Sequence, residues 1–323
     1  MSVATADMQP RVQPPNSRGD GLRLFEQKAF SAAIDCFERW LQDHPDDHEV
    51  LNALARSFEP LDRLEEALSC VDRCLTLRPD LIAELANRAH LLEKLSRPSE
   101  ALEALNRAVD LSPTNVEVLI KRAYLLHRLG RREDALASAD RAVMVDPQHL
   151  IALNTRGMLL DDLGRRAEAC ADFEAILAIS PDYADAITNR AILHARAGEF
   201  TEALAAYDRS LALKPDQSNA IYNRSVVRLV LGDWTQGFRE FESRWALFPH
   251  EASRLRRLAP MWDGQADLNG KTLLLHHEQG YGDTLQLCRY ASVVKRRGAQ
   301  VVIAVPAALK RLMGTLADRK SVV

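Results

Sequence analysis

The sequence predicts an all-α fold: a solenoid of equal helical pairs filling most of the 323 residues, followed by a short α/β segment. Three observations carry this reading. Pro45, Pro79, Pro113, Pro147, Pro181, Pro215 and Pro249 recur every 34 residues with no insertion or deletion between them. Small residues recur at two fixed places between those prolines. The composition, 47% hydrophobic but only 6% aromatic and rich in Ala, Leu and Arg, suits helices packed through small side chains better than a large sheet. A period held over so many residues means a stack of equal units, each burying its apolar face against its neighbours.

Charge and targeting bound the function classes. The net charge of -3 comes from 42 basic and 45 acidic residues spread along the chain, so no broad field draws in nucleic acid or an anionic membrane. No stretch has the apolar length of a signal peptide or a membrane span, which predicts a cytoplasmic protein. Cys36, Cys70, Cys74, Cys170 and Cys288 lack metal-ligand spacing and read as reduced thiols; Cys70 and Cys74 share a helix face through packing.

Residues 1–13 are polar and proline-bearing and are expected to be a disordered tail. Counting back from each proline then lays out seven units: 14–47, 48–81, 82–115, 116–149, 150–183, 184–217 and 218–251. Their eighth places hold Gly21, Ala55, Ala89, Ala123, Gly157, Ala191 and Ser225. Their twentieth places hold Ala33, Ala67, Ala101, Ala135, Ala169, Ala203 and Gly237. Small residues at every such slot predict the points where helices approach too closely for anything larger. Gly130, Gly164, Gly198 and Gly232 fall at the turn inside a unit, where a left-handed residue ends the first helix. The proline stops the second helix before the next unit begins.

With period, small slots and proline in agreement, residues 14–251 resemble seven tandem tetratricopeptide repeats. The resemblance implies a right-handed superhelix with a concave groove lined by the first helices, and protein or peptide partners. Arg88, Arg122, Arg156, Arg190 and Arg224 stand at the seventh place of five successive units, where many members of the family carry Leu; their stems are expected to pack between units while their heads pair with carboxylates. The sixth place holds Asn87, Asn189 and Asn223, with Lys121 and Thr155 between them. An amide both donates and accepts, so such side chains suit the main chain of an extended peptide. The set resembles the asparagine ladder in the repeats of O-linked N-acetylglucosamine transferases. Solvation of a helix surface is the alternative role for it.

The seventh unit departs from the pattern, with Gly237 at the second small slot, Arg244 where a small residue usually packs, and the aromatic text GDWTQGFREFESRW. Residues 252–270 read as a linker. Within 271–323, apolar runs at Lys271–His276 and Val301–Val305 flank a helical pattern with Leu287, Ala291 and Val294 on one face, which predicts one right-handed crossover of a parallel, Rossmann-like sheet. Glu278, Gln279, Gly280 and Gly282 form a glycine loop after the first strand, and Asp283 is placed to cap a helix beginning at Thr284, with Gln286 completing a capping box. Leu285 at the third glycine position, and Pro306 where an acidic residue would hold a ribose, exclude a dinucleotide fingerprint. His276, His277 and Glu278 lie consecutively on a strand and do not make a metal site, so no metal and no cofactor is expected.

The stretch from Trp262 to Met313 resembles the opening of the glycosyltransferase-like domain that follows tetratricopeptide repeats in many bacterial proteins, similar to heptosyltransferases of the two-lobed GT-B fold. By that resemblance Gly282 and Asp283 match a Gly-Asp pair whose aspartate serves as general base on the acceptor hydroxyl; the plain alternative is that Asp283 only caps its helix. Only GTLADRKSVV follows Met313. The lobe that would bind a nucleotide sugar is therefore expected to be missing, and the chain is expected to be a truncated or frameshifted relative or a fragment. Two functions stay open: an interaction scaffold holding an extended peptide or partner helix in its groove, or a protein-acceptor glycosyltransferase that is catalytically incomplete in this chain.

Overall fold

The computed structural model describes residues 17–247, 260–262, 264–277, 280–315 and 321–322. The expected tail, Pro249, Glu278 and Gln279 lie outside the described residues. The chain divides into two compact parts after Leu247.

The first part is a run of helical pairs: α1 (Arg18–Glu26) and α2 (Phe30–Asp43), α3 (His48–Phe58) and α4 (Leu64–Leu77), α5 (Ile82–Lys94) and α6 (Pro98–Leu111), α7 (Val116–Arg128) and α8 (Arg132–Val145), α9 (Leu150–Asp162) and α10 (Arg166–Ile179), α11 (Ala184–Ala197) and α12 (Phe200–Leu213), and α13 (Ser218–Val230) with α14 (Trp234–Phe241). Each helix packs on the next, and α1 also touches α3, α7 touches α9, α9 touches α11 and α11 touches α13.

The punctuation is where the sequence puts it. Pro79, Pro113 and Pro181 each come one residue after a helix C-cap, whose own N–H still reaches back, as Arg78 N does to Cys74 O at 2.8 Å and Ser180 N to Ile176 O at 2.7 Å. A proline next has no N–H with which to continue. The turn inside every repeat holds one left-handed residue. Gly130, Gly164, Gly198 and Gly232 have φ of 75°, 77°, 83° and 85°, and the same place in the first three repeats is filled by Lys28, Asp62 and Ser96 at 59°, 58° and 59°.

All the eighth- and twentieth-place residues are buried. Two of them show why they are small. A Cβ on Gly21 would come within 2.4 Å of the Phe37 ring, and one on Gly157 within 2.6 Å of the Phe173 ring. Each glycine thus makes room for a fully buried ring 16 residues on. The buried apolar side chains form one cluster running from Ala33 to Leu193 and another running from Ile187 to Val227, which meet within α11.

The seventh pair is cut short. α14 ends at Phe241, and a separate short helix, Arg244–Leu247, follows. Arg244 does not fill a small slot; its guanidinium lies over the rings of Phe241 and Trp245, at 4.8 and 4.4 Å, and pairs with Glu242.

In the second part, β1 (Thr272–His276) pairs parallel with β2 (Gln300–Ala304), Thr272 opposite Gln300 and His276 opposite Ala304. A third strand, β3 (Ser321–Val322), pairs parallel with the other edge of β2. Val301, Ile303, Ala291 and Val294 close a small core with Leu268, Leu309 and Met313. The predicted single helix is two, Tyr281–Leu287 and Tyr290–Arg296, and Leu287 faces outward while Ala291 and Val294 are buried.

Candidate functional site

The candidate site is the outer face of the first helices. Within such a helix the second, sixth, ninth and thirteenth places of a repeat fall on one side, because three- and four-residue steps return to the same face. Of the sixth-place residues, Asn87 is half-buried and Lys121 is exposed. Asn189 Nδ2 donates to Asn154 Oδ1 at 2.8 Å, a bond from α11 to α9. Asn223 Nδ2 donates to Asn219 within its own helix, to both the backbone and the side-chain oxygen at 2.8 Å. Thr155 is not on this surface: it is buried and its hydroxyl donates to Ile151 O at 2.7 Å. Asn154, one place earlier and itself only 8% exposed, accepts the bond from Asn189 instead, and its amide also approaches Met158 Sδ at 3.7 Å. The ladder is thus a discontinuous row of amides, two of them tied internally.

Beside that row runs a stripe that the reading by prolines and small slots passed over. Tyr124, Met158, Ile192 and Val226 are successive ninth-place residues, 34 apart. Tyr124, Met158 and Val226 are 39%, 37% and 39% exposed, Ile192 is half-buried, and Ile151, about two turns before Met158 in α9, is exposed as well. In the second and third repeats the ninth place is polar, with Arg56 and His90. The signal was available in the 34-residue register, as a change from charged to apolar at one place.

Three sets of polar contacts hold the helices that carry this face. The seventh-place arginines reach back 16 residues to the preceding repeat and forward 16 to their own second helix: Arg88 Nε to Asp72 at 2.7 Å, Arg122 Nε to Asn106 at 2.7 Å, Arg156 to Asp172 at 2.5 Å and Asp140 at 3.5 Å, and Arg224 to Asp208 at 2.6 Å and Glu240 at 2.7 Å. The hydrogen bonds that Arg156 donates to Asp172 hold the pKa of its guanidinium above the ordinary value. Arg190 breaks the series, its Nε buried with no hydrogen bond among the described residues. Its forward position is Ala206, and the exposed Glu174 behind it instead accepts from the Cys170 thiol at 3.5 Å.

A second set, also unread in the sequence, ties the second, third, fourth and sixth repeats to the turn before each. Arg73, Arg107, Arg141 and Arg209 donate to the carbonyls of Pro45, Pro79, Pro113 and Pro181 at 2.7 to 3.1 Å. A cation there meets the negative end of the preceding helix. The third set links the ends of successive first helices, 35 residues apart: Glu59 with Lys94 at 2.6 Å, Glu93 with Arg128, His127 with Asp162 at 2.7 Å, and Asp161 with Arg196. The next rung is apolar, Ala195 and Val230.

Cys70 and Cys74 are packing residues. Burial pushes their thiols up to about 11 and about 12, and Cys74 Sγ donates to His48 O at 3.2 Å. Two shallow concavities, of about 390 and 410 Å³, lie on the second-helix side around Cys70 and Arg107 and contain none of the sixth- or ninth-place residues.

The site predicted in the second part is built differently from expectation. The helix after β1 begins at Tyr281 rather than Thr284, and Gly280, in an extended conformation, is its N-cap. Asp283 therefore lies inside the first turn, exposed, and its side chain makes no cap; Gln286 completes no capping box. Gly282 is a helical residue and not part of a loop. Glycine is itself acceptable at an N-cap, which lets the helix start earlier than a side-chain cap would have it. His276 Nδ1 lies 3.2 Å from His277 O. Among the described residues no three His, Cys, Asp or Glu side chains gather as metal ligands, and no helix is long and apolar enough to cross a membrane.

Models described as tetratricopeptide repeat match residues 54–125 and, in three overlapping stretches, 120–184, 154–218 and 188–252. Among solved structures, the chain is similar to a tetratricopeptide repeat protein from Parabacteroides merdae (TM-score 0.63, 19% identity, covering 69% of this chain and 89% of that one). It is also similar to the APC/C hetero-tetramer Cut9–Hcn1 (TM-score 0.57, 15% identity, 71% and 45% covered) and to PilW, a type IV pilus biogenesis factor (TM-score 0.54, 20% identity, 66% and 98% covered). No curated protein matches it.

Proposed function

Because this chain belongs to the tetratricopeptide-repeat family, with the match spanning residues 54–252, we propose that it is a protein-interaction scaffold that holds an extended peptide or a partner helix on the face of its first helices. The observation that carries this is the ninth-place stripe of Tyr124, Met158, Ile192 and Val226, left open to solvent beside the amides of Asn189 and Asn223. Apolar side chains aligned on successive repeats are surface that a partner gains by covering, and the amides meet the polar main chain that a peptide brings with it. Asn87 and Lys121 extend the polar row toward the third repeat. The family's right-handed, concave form would gather these residues into one groove.

The test is selection of binders from a displayed random-peptide library on the full chain, followed by substitutions on each side. Tyr124→Glu and Met158→Glu are expected to abolish capture, and Glu103→Lys on the second-helix side is expected to leave it unchanged. Equal effects from both sides would remove the first-helix face from the proposal.

One observation favours a second reading. The glycine turn at Gly280 follows the carboxyl end of β1 in a parallel sheet, the place where open α/β sheets put ligands, with Asp283 exposed beside it. In that reading the repeats select a protein acceptor and Asp283 is the base that deprotonates it. Titration calorimetry with nucleotide sugars decides it: no heat at millimolar ligand would end the glycosyltransferase reading for this chain.

A further inference from the structure

We infer that the face of the fourth to seventh repeats takes an extended, largely uncharged peptide that presents an apolar side chain at every third residue and a carboxylate at its fourth-repeat end. The inference rests on the scaffold reading above and gives it a ligand chemistry.

The first step is pitch. Helices α7, α9, α11 and α13 touch in succession, and helices in contact have axes about 8–10 Å apart. Tyr124, Met158, Ile192 and Val226 supply one apolar spot per helix, so spots follow one another at that distance. A β-strand repeats its side-chain direction after two residues, about 6.6 Å, and falls out of step. A polyproline-II chain repeats it after three residues, about 9.3 Å, and stays in step.

The second step is hydrogen bonding. A helical ligand has its backbone groups satisfied internally, whereas a polyproline-II chain has none satisfied and needs partners along its length. The row beside the stripe is made of such partners. Asn189 donates to Asn154 and keeps its own oxygen as an acceptor, and Lys121 brings a donor two repeats earlier.

The third step is charge. Arg128 and Arg196 meet Glu93 and Asp161 as ion pairs and His127 hydrogen-bonds Asp162, so none of these three rungs offers a ligand an unmatched cation. Lys121 is exposed and makes no ion pair among the described residues. Complementarity therefore calls for a neutral peptide with one acidic group next to Lys121.

Fluorescence anisotropy on the full chain tests this with three labelled peptides of about 12 residues. Each carries four leucines and one terminal aspartate in the same composition, with leucine at every third residue, at every second residue, or in the i, i+3, i+4, i+7 helical pattern. The every-third peptide is expected to bind at least about tenfold tighter than the others. Met158→Glu, and independently Val226→Glu, are expected to weaken it by about tenfold or more, with circular dichroism confirming that each variant is folded. Lys121→Ala is expected to weaken the aspartate-bearing peptide and not its asparagine counterpart. If another spacing binds best and Met158→Glu still abolishes it, the every-third inference is overturned while the scaffold reading stands. If neither face variant changes the binding of any peptide, or none binds, this inference and the first-helix face fall together. Equal loss on both peptides from Lys121→Ala overturns the carboxylate.

Discussion

The ring of Phe173 fills the space that a side chain on Gly157 would need: a Cβ there would stand 2.6 Å from the ring edge, and the ring is buried on every side. Glycine inside a helix ordinarily costs about 0.5–1 kcal/mol relative to alanine, so Gly157→Ala would stabilise an open helix. Overpacking a close-fitted core costs about 1–3 kcal/mol and decides the sign here. We expect Gly157→Ala to destabilise the chain by about 1–2 kcal/mol in urea unfolding. Phe173→Leu added to it should restore part of that loss. A rise in stability from the single substitution would show that the ring has room to move.

Ser96 is held at φ 59° where four later repeats use glycine. A left-handed residue with a Cβ costs about 1–2 kcal/mol in backbone strain. Glycine removes the strain but gives the unfolded chain more freedom. Ser96→Gly is expected to stabilise by about 0.5–1 kcal/mol, and Gly130→Ala to destabilise by a similar amount. Matching urea midpoints for all three proteins would refute the strain.

Arg156 and Arg190 occupy the same place in adjacent repeats but have different surroundings. Asp172, the partner of Arg156, is only 6% exposed, and Arg156 itself is 25% exposed. Arg156→Met leaves a buried carboxylate alone and is expected to cost up to about 3 kcal/mol, the lower end of the range for breaking a buried pair. Arg190→Met gives up stem packing of a residue with no such partner and is expected to cost less than about 1 kcal/mol, or to stabilise. Similar losses at both sites would mean that the pairs add nothing beyond packing.

Lys94 foremost, then His90, holds the Glu59 carboxyl below its ordinary 4.5. A carboxyl whose folded value lies below its unfolded one contributes stability above about 4.5, and that contribution is lost as the pH falls through the folded value. Glu59→Gln is therefore expected to be less stable than the native chain near neutral pH, by less than about 1 kcal/mol for a pair this near the surface. The difference should shrink steadily as the pH is lowered from about 4.5. Urea unfolding at a series of pH values reads the gap; one that widens on acidification contradicts the assignment.

Much of the first part was legible because its signals are local and repeat in phase. Pro79 or Gly130 acts on its own turn, and a small residue at Ala89 or Ala203 reports a close approach wherever it recurs. The reason Gly157 is smaller than Ala123 was not legible from its own slot, since it lies 16 residues on, in Phe173. Nor was the pairing of Arg73 with Pro45, in which a side chain answers a carbonyl 28 residues earlier. Both are contacts between helices, visible in the sequence only when two places of the repeat are read against each other. In the second part the glycines that suggested a loop instead begin a helix. β3, two residues long, takes its strand conformation from β2 and carries too little pattern of its own to be foreseen.

Arg190 stands in α11, where the two clusters of buried apolar side chains meet. In a one-dimensional array each junction carries its own coupling, and cooperativity extends only as far as the couplings are strong. The arginines on either side, Arg156 and Arg224, each join their own repeat to the one before. At Arg190 that rung is missing, and the sixth repeat is bound to the fifth by packing and by the contacts of Asn189 with Asn154, Arg196 with Asp161 and Arg209 with the Pro181 carbonyl. With the arginine rung absent and the two apolar clusters meeting in α11, amide hydrogen exchange is expected to show protection stepping down within that helix instead of fading evenly toward an end.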